Sequence, residues 1–243
     1  MAAKKNYTYV WVSLIILVFG ILTVPRLVER FTGGDIIEND RMSAENDPNR
    51  LAYVVLNGER AKAPGFALMN QDSLLVTEAD FGGKVYVAEF FFTTCPTICP
   101  VMTKNLVSLQ NTFKDSPDFG IASFSINPRY DTPGVLKAYA EKYGIDKLEW
   151  HLLTGEQDAI HKLANEGYSI FATQMDEAPG GFEHSGLFAL VDKEGFIRSR
   201  KDQFGNPIVY YRGAILEGKG KNREGETEQI GILREDIKKL LEE

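Results

Sequence analysis

Cysteine and histidine are both scarce in this chain of 243 residues, which contains two cysteines and three histidines. Two cysteines four positions apart are too few and too close for a disulfide scaffold. Basic residues are also in deficit, 27 against 34 acidic ones, which gives a net charge of -7. An acidic chain whose sequence shows no basic patch argues against nucleic acid as a partner.

Charge is missing altogether from one long stretch near the N-terminus. Twenty residues, most of them aliphatic or aromatic, separate Lys5 from Arg26. At about 1.5 Å per residue they match the roughly 30 Å of a bilayer's hydrocarbon. The sequence therefore predicts an uncleaved transmembrane anchor over residues 1–27. A cleavable signal peptide is the alternative, and residues 20–25 lack the small-residue pattern that signal peptidase prefers.

The positive charges flanking this stretch are nearly balanced and barely decide its orientation. A cysteine pair functions better outside the reducing cytosol. We therefore expect a single-pass protein of the inner (cytoplasmic) membrane whose C-terminal domain faces the periplasm. Residues 28–63 are polar and predict a linker, with a candidate strand at 52–56, and residues 64–243 then form the folded domain.

Apolar periodicity predicts an α/β fold for that domain. Strands alternate with helices, which favours βαβ units and a central, mainly parallel sheet flanked by helices. The predicted strands lie at residues 85–92, 119–126 and 148–153, and the predicted hairpins at 66–77 and 186–200. Three predicted helices begin near residues 99, 133 and 155, and a fourth spans residues 230–241. The charged, glycine-rich residues 217–228 predict a solvated loop.

Both cysteines lie where the strand 85–92 passes into a helix. Thr97 is a candidate cap of that helix, and Pro100 is tolerated in its first turn. Unpaired N–H groups and the helix dipole at this end favour thiolate over thiol. Cys95 and Cys99 are then a structural disulfide, a redox couple, or two ligands of a soft metal. Two thiolates with one imidazole suit Cu(I), or Zn(II) with a fourth ligand.

The histidines and one glutamate are the other candidate site residues. His151 lies within a predicted strand and is interpreted as packed or hydrogen-bonded, whereas His161 is expected to face water. His184 follows a turn and precedes a strand, so it lies on a loop at a sheet edge, where functional residues concentrate. Glu89 lies in an otherwise apolar strand, and if buried it can accept the proton that a thiol loses. Met102 has the helical spacing of a core residue.

Four motifs together resemble the SCO/SenC family of thioredoxin-like, membrane-anchored copper proteins. They are the cysteine motif 94–100, Asp131-Thr132-Pro133, the segment 150–155, and His184 ahead of 187–192. The resemblance implies a thioredoxin-like fold and copper bound by Cys95, Cys99 and His184. The chain departs from the family pattern at Asn127, where relatives usually have aspartate, and at Glu183, where some relatives have aspartate.

The resemblance further implies a copper metallochaperone for the CuA centre of cytochrome c oxidase, without enzymatic activity of its own. Its partners are then the CuA-bearing subunit and a protein that donates copper. One alternative is a thiol-disulfide oxidoreductase that reduces the CuA-ligand cysteines through Cys95, Cys99 and Glu89. The other alternative is a redox or copper sensor.

Overall fold

The structure is a computed structural model of the chain, and it describes residues 8–32, 50–147, 149–201 and 208–243. The chain divides into two compact units, residues 1–39 and 40–243. The first unit contains helix α1, Thr8–Thr32, whose described side chains are those of residues 11–25. Among the described residues no helix is both long and apolar enough to cross a membrane. The predicted anchor is therefore not confirmed, and its first seven residues lie outside the described ranges.

The second unit is built on one large sheet of short strands. The strands are β1 Ala52–Tyr53, β2 Val55–Leu56, β3 Glu59–Arg60, β4 Ala67–Asn70, β5 Leu75–Thr77, β6 Val85–Phe91, β7 Phe119–Ser125, β8 Trp150–Thr154, β9 Ala172–Gln174, β10 Phe182–His184, β11 Leu187–Val191, β12 Ile197–Ser199 and β13 Tyr211–Arg212. The main sheet has the order β1-β12-β11-β6-β7-β8-β4-β5, and β13 also pairs with β11. The other described strands form two separate two-stranded ribbons, β2-β3 and β9-β10.

Within the described part of the body, four α-helices accompany the sheet: α2 Cys99–Thr112, α3 Pro133–Tyr143, α4 Gln157–Lys162 and α5 Ile230–Glu242. Every residue of β6 and β7 is buried, because these two strands lie at the centre of the sheet. The predicted hairpins, the two central strands and the helix at 230–241 are confirmed within one or two residues.

The prediction of a mainly parallel sheet is wrong. Only β6-β7 and β7-β8 pair in parallel, and all other described pairs of the main sheet are antiparallel. Helices α2 and α3 make the crossovers that the two parallel pairs need, whereas the antiparallel pairs β6-β11, β4-β8 and β1-β12 join strands that are distant in sequence. Short turns join β4 to β5 and β11 to β12, so the chain adds antiparallel strands towards both edges.

The folded body includes residues that the sequence assigned to the linker 28–63. Strand β1 pairs with β12, and Leu51, Val54 and Ala61 are buried. Residues 33–49 of the predicted linker lie outside the described ranges. The segment 50–63 therefore belongs to the body because three of its apolar side chains enter the core.

Candidate metal centre

The loop that carries the cysteines leaves the end of β6 and turns directly into α2. Cys95 N–H donates to Phe92 O at 3.2 Å, and α2 begins at Cys99 with Pro100 in its first turn. Thr97 does not cap this helix, since the cap position is Ile98 and no side chain caps it. The Thr97 hydroxyl lies instead 3.5 Å from Cys95 Sγ, because Thr97 precedes the cap position and turns back towards the loop.

His184 reaches the cysteines on the β9-β10 ribbon. It is the last residue of β10, where it pairs with Ala172, and its ring lies edge-on to Phe92 with 6.0 Å between centroids. The turn of this ribbon approaches the cysteine loop so closely that a Cβ added at Gly180 would be 2.8 Å from the Phe92 ring. Glycine at this position, with φ +83°, permits both the turn and the contact.

The three predicted metal ligands meet at one point. His184 Nε2 lies 3.2 Å from Cys99 Sγ, and the ligand atoms of Cys95, Cys99 and His184 all lie within 4.8 Å of one another. Bonds of about 2.0–2.3 Å to a common ion hold donors up to roughly 4.6 Å apart, so the observed spacing needs little further approach. Both cysteines are free thiols and all three side chains are buried. The residues present therefore fit a soft metal ion with two sulfur donors and one nitrogen donor.

The two thiols differ in acidity. The adjacent Cys99 thiol lowers the pKa of Cys95 most, and His184, Thr97 and the backbone N–H of Cys99 lower it further, against the opposing effect of burial. Burial raises the pKa of Cys99, and the neighbouring Cys95 raises it again. The pair therefore holds its first negative charge on Cys95, the residue at the mouth of the site.

Sequence analysis missed the support that Asp131 gives to the cysteine loop. Its buried carboxylate accepts hydrogen bonds from Thr93 N–H at 3.0 Å, from the Thr93 hydroxyl and from the Ser125 hydroxyl at 2.5 Å. The sequence marked Asp131 only as part of the motif Asp131-Thr132-Pro133 ahead of α3, a helix that no side chain caps. The bonds to Thr93 fix the backbone two residues before Cys95 across the end of β7.

Glu89 is fully buried beneath this site. The Ser123 hydroxyl donates to Glu89 Oε1 at 2.7 Å, whereas Oε2 has no hydrogen-bond partner among the residues that the structure describes. Burial raises the pKa of Glu89 to about 7, and the Ser123 bond lowers it in part. The charge of Glu89 in turn contributes to raising the pKa of Cys99, so the two groups interact electrostatically.

A cavity of about 290 Å³ opens onto Cys95 and His184. Its walls are formed by the cysteine loop on one side and by the β9-β10 ribbon with its turn on the other: Phe92, Thr97, Ile98, Met175, Glu177, Ala178, Pro179, Phe182 and Glu183. Cys95 lines the cavity and Cys99 does not. The site can therefore be approached from outside through Cys95 and His184.

The other histidines and Met102 are not among the three residues whose ligand atoms converge. His151 is half-buried in β8, with Nδ1 3.3 Å from Asn70 Nδ2, as its packed interpretation required. The expectation that His161 faces water is wrong, because its Nε2 lies 2.9 Å from Ile126 O and its ring meets Phe182. Met102 is fully buried, which confirms it as a core residue.

The chain is similar to members of one protein family in both sequence and structure. The family model described as SCO1/SenC matches residues 56–213. A Bacillus subtilis protein named as a SCO1 homologue is 35% identical over 134 residues, 54% of this chain and 69% of that protein. A Stutzerimonas stutzeri protein, named as a candidate copper-binding protein, is 27% identical and aligns over 60% of this chain and 72% of its own length.

The solved structure of BsSco shares the fold. It superposes with a TM-score of 0.57 at 28% identity, covering 73% of this chain and 92% of that one. BsSco is described as a member of the Sco family of cytochrome c oxidase assembly proteins with a disulfide switch. The predicted thioredoxin-like Sco architecture is therefore confirmed at the level of the fold.

Proposed function

Because the chain belongs to the SCO1/SenC family, we propose that it is a copper metallochaperone that binds one copper ion through Cys95, Cys99 and His184 and delivers it to the CuA-bearing subunit of cytochrome c oxidase. The single observation that carries the proposal is the convergence of two free thiols and one imidazole within 4.8 Å of one another. Two relatives support it by name, one described as copper-binding and one as an oxidase assembly protein.

The geometry of the site suits a transferable cargo. Two soft sulfurs and one neutral nitrogen favour Cu(I) and leave a coordination position that an incoming thiolate of the partner can enter. Cys95 lines the cavity, so a partner reaches the ion from that side first. Asp131 and the β9-β10 ribbon hold the donors close together before the metal arrives, which lowers the ordering cost of binding.

Anaerobic titration of the reduced full chain with Cu(I) tests the proposal. We expect one ion per chain and an X-ray absorption spectrum with two sulfur neighbours and one nitrogen neighbour. His184→Ala should lose the nitrogen neighbour, whereas the matched control His161→Ala should keep it, because His161 faces Ile126. Equal copper binding and equal spectra in both variants would remove His184 from the site.

A second candidate function is thiol-disulfide exchange with the CuA-ligand cysteines of the same subunit. The unequal acidity of Cys95 and Cys99 and the buried Glu89 beneath them favour it. In this reaction the Cys95 thiolate attacks a partner disulfide, and Cys99 then displaces the partner's second thiol and forms the disulfide with Cys95. An insulin reduction assay separates the two functions: loss in Glu89→Ala with retention in His184→Ala supports exchange, and absence of activity in the unsubstituted chain rejects it.

We propose that the protein is anchored in the cytoplasmic membrane by its N-terminal segment and that its C-terminal domain faces the periplasm. The support is the uncharged stretch between Lys5 and Arg26. Retention of the full chain in membranes after alkaline carbonate extraction, and protease access to the body only from the outer face, are the expected results. Release by carbonate would contradict the anchor.

A further inference from the structure

The loop 217–228, which the sequence left without a role, is an ordered structure packed on α2. Asn105 of α2 donates to Gly213 O at 2.9 Å and Ile215 O at 2.8 Å and accepts from Glu217 N–H at 3.0 Å. Asn105 is fully buried, so these bonds fix the base of the loop to the helix that begins at Cys99.

The acidic residues of this loop are largely used to hold it together. Glu217 pairs with Arg234 and accepts from the Ser108 hydroxyl at 2.8 Å. Glu226 pairs with Arg212 at 3.1 Å, and its Oε2 accepts from Asn222 at 2.9 Å. Glu228 accepts from two backbone N–H groups in the first turn of α5. Of the loop's acidic residues, only Glu224 has no such role among the described contacts.

The basic residues of the same loop are not used in this way. Lys219, Lys221 and Arg223 are exposed, and among the described residues no acidic side chain pairs with any of them. The three cations are therefore available to an anionic group, in a chain whose net charge is -7. The sequence shows no basic patch here, because four acidic residues of the loop, at 217, 224, 226 and 228, flank these three cations.

These three cations surround an apolar cavity of about 340 Å³. Its other lining residues are Val101, Ala214, Ile215, Leu216 and Asn222. The cavity lies close to the metal centre. Val101 is two residues beyond Cys99, and Ala214 Cβ would be 3.0 Å from a Cβ added at Gly186, two residues beyond His184. Val101, in the first turn of α2, lines this cavity, and Ile98, the residue directly before the helix, lines the cavity at Cys95.

We propose that this cavity, lined by Val101, residues 214–216 and the cations Lys219, Lys221 and Arg223, is a docking site for an acidic segment of a protein partner that exchanges copper at the neighbouring cysteines. Carboxylates of the segment pair with the cations, and an apolar side chain enters the cavity. Charge complementarity favours an acidic occupant, and the concave apolar floor favours a side chain over a flat lipid surface. The identity of the partner as a copper-exchange protein rests on the proposed function, whereas the docking surface itself does not.

The test uses the full chain in a neutral detergent and a short peptide with several glutamates around one phenylalanine. We expect saturable binding that weakens with added salt, with backbone NMR shifts at residues 214–223. The double substitution Lys219→Glu/Lys221→Glu should weaken binding by about tenfold. The matched control Lys114→Glu/Lys238→Glu makes the same charge change at exposed positions elsewhere and should bind like the unsubstituted chain.

Three results would overturn the proposal. One is equal peptide affinity in the two double variants, and another is equal affinity for a peptide with serine in place of glutamate. The third is binding of the chain to phosphatidylglycerol vesicles that depends on Lys219 and Lys221, with no binding of the peptide. This result would assign the surface to lipid. Copper binding by the same samples is recorded in parallel. Its absence from the unsubstituted chain would reject the copper function, whereas normal copper binding without peptide binding would reject the docking site alone.

Discussion

At the scale of single residues, the two thiols of the metal centre are chemically distinct although they are four positions apart. Contacts with Cys99 and His184 lower the pKa of Cys95, whereas burial raises the pKa of Cys99. Only the thiolate is nucleophilic. Reactivity with an alkylating agent therefore reports the difference directly.

We expect iodoacetamide to modify Cys95 in preference to Cys99 below the ordinary thiol pKa of about 8.5. A lowered pKa keeps Cys95 a thiolate as the pH falls, and a raised pKa keeps Cys99 protonated. Peptide mapping by mass spectrometry after brief labelling at about pH 6 measures both sites in the same molecule. The urea-unfolded chain is the control and should label both alike, whereas equal labelling of the folded chain would contradict the assignment.

Glu89 makes the stability of the domain depend on pH. Its pKa in the folded chain is raised from 4.5 to about 7, so between these values the folded state binds more protons than the unfolded state. The contribution of Glu89 to stability is therefore greatest below the unfolded pKa of 4.5 and is lost as the pH rises through 7. The shift corresponds to about 3 kcal/mol as an upper bound.

Replacing Glu89 by glutamine should remove this loss, because the amide keeps the size of the side chain and carries no charge. Urea unfolding at about pH 5 and pH 8 should show a smaller decrease in the free energy of unfolding for Glu89→Gln than for the unsubstituted chain. Glu224→Gln, at an exposed position, is the control and should leave the decrease unchanged. An unaltered decrease in Glu89→Gln would show that Glu89 is not the group responsible.

At the scale of elements, replacing either of two glycines by alanine should change the stability of the domain in opposite directions. Gly231 lies in the first turn of α5 with open space around an added Cβ, whereas a Cβ at Gly213 would lie 2.4 Å from the Phe188 ring. Gly231→Ala should raise the free energy of unfolding by about 0.5–1 kcal/mol, since alanine favours the helix. Gly213→Ala should lower it by about 1–3 kcal/mol through overpacking.

Thermal or urea unfolding of both variants under one condition is the measurement. A stabilising Gly213→Ala would mean that Phe188 moves aside without cost. A destabilising Gly231→Ala would mean that the start of α5 is not helical in solution.

At the scale of the whole molecule, Arg198 joins distant parts of the chain. It is buried, and it donates to Leu51 O at 2.6 Å, to Asp192 at 2.8 Å and to the C-terminal residue Glu243 at 3.3 Å. Its guanidinium also lies over the Tyr53 ring, 4.1 Å from the centroid. The beginning of the body, the β11-β12 turn and the chain end are thereby held by one side chain.

Arg198→Ala should destabilise the domain by about 3–5 kcal/mol, because it leaves the carboxylate of Asp192 buried without its cation. Arg50→Ala removes an exposed cation that pairs with the same Glu243 at 3.6 Å and should cost less than about 1 kcal/mol. Urea unfolding compares the two. Equal, small losses would show that the Arg198 interactions are replaced by water when the side chain is removed.

Local patterns determined much of this protein from its sequence alone. The apolar run 85–92 and the spacing of Met102, Leu106 and Leu109 placed both cysteines between a central strand and a helix. These features depend on residues within a few positions of one another, so periodicity and turn chemistry predict them. The turn before His184 marked it as a candidate, and only the resemblance to a known family implied that it is a metal ligand.

Only the tertiary structure decided which distant groups meet. It brought His184 to Cys99 across 85 residues, joined Asp131 to Thr93 across the sheet and buried Glu89 against Ser123. It also paired two acids of the loop 217–228, Glu217 and Glu226, with arginines outside the loop, and left the loop's cations without acidic partners among the described residues. The edges of the sheet proved antiparallel for the same reason: strand pairing and burial are set by the packing of remote segments, which the order of residues does not display.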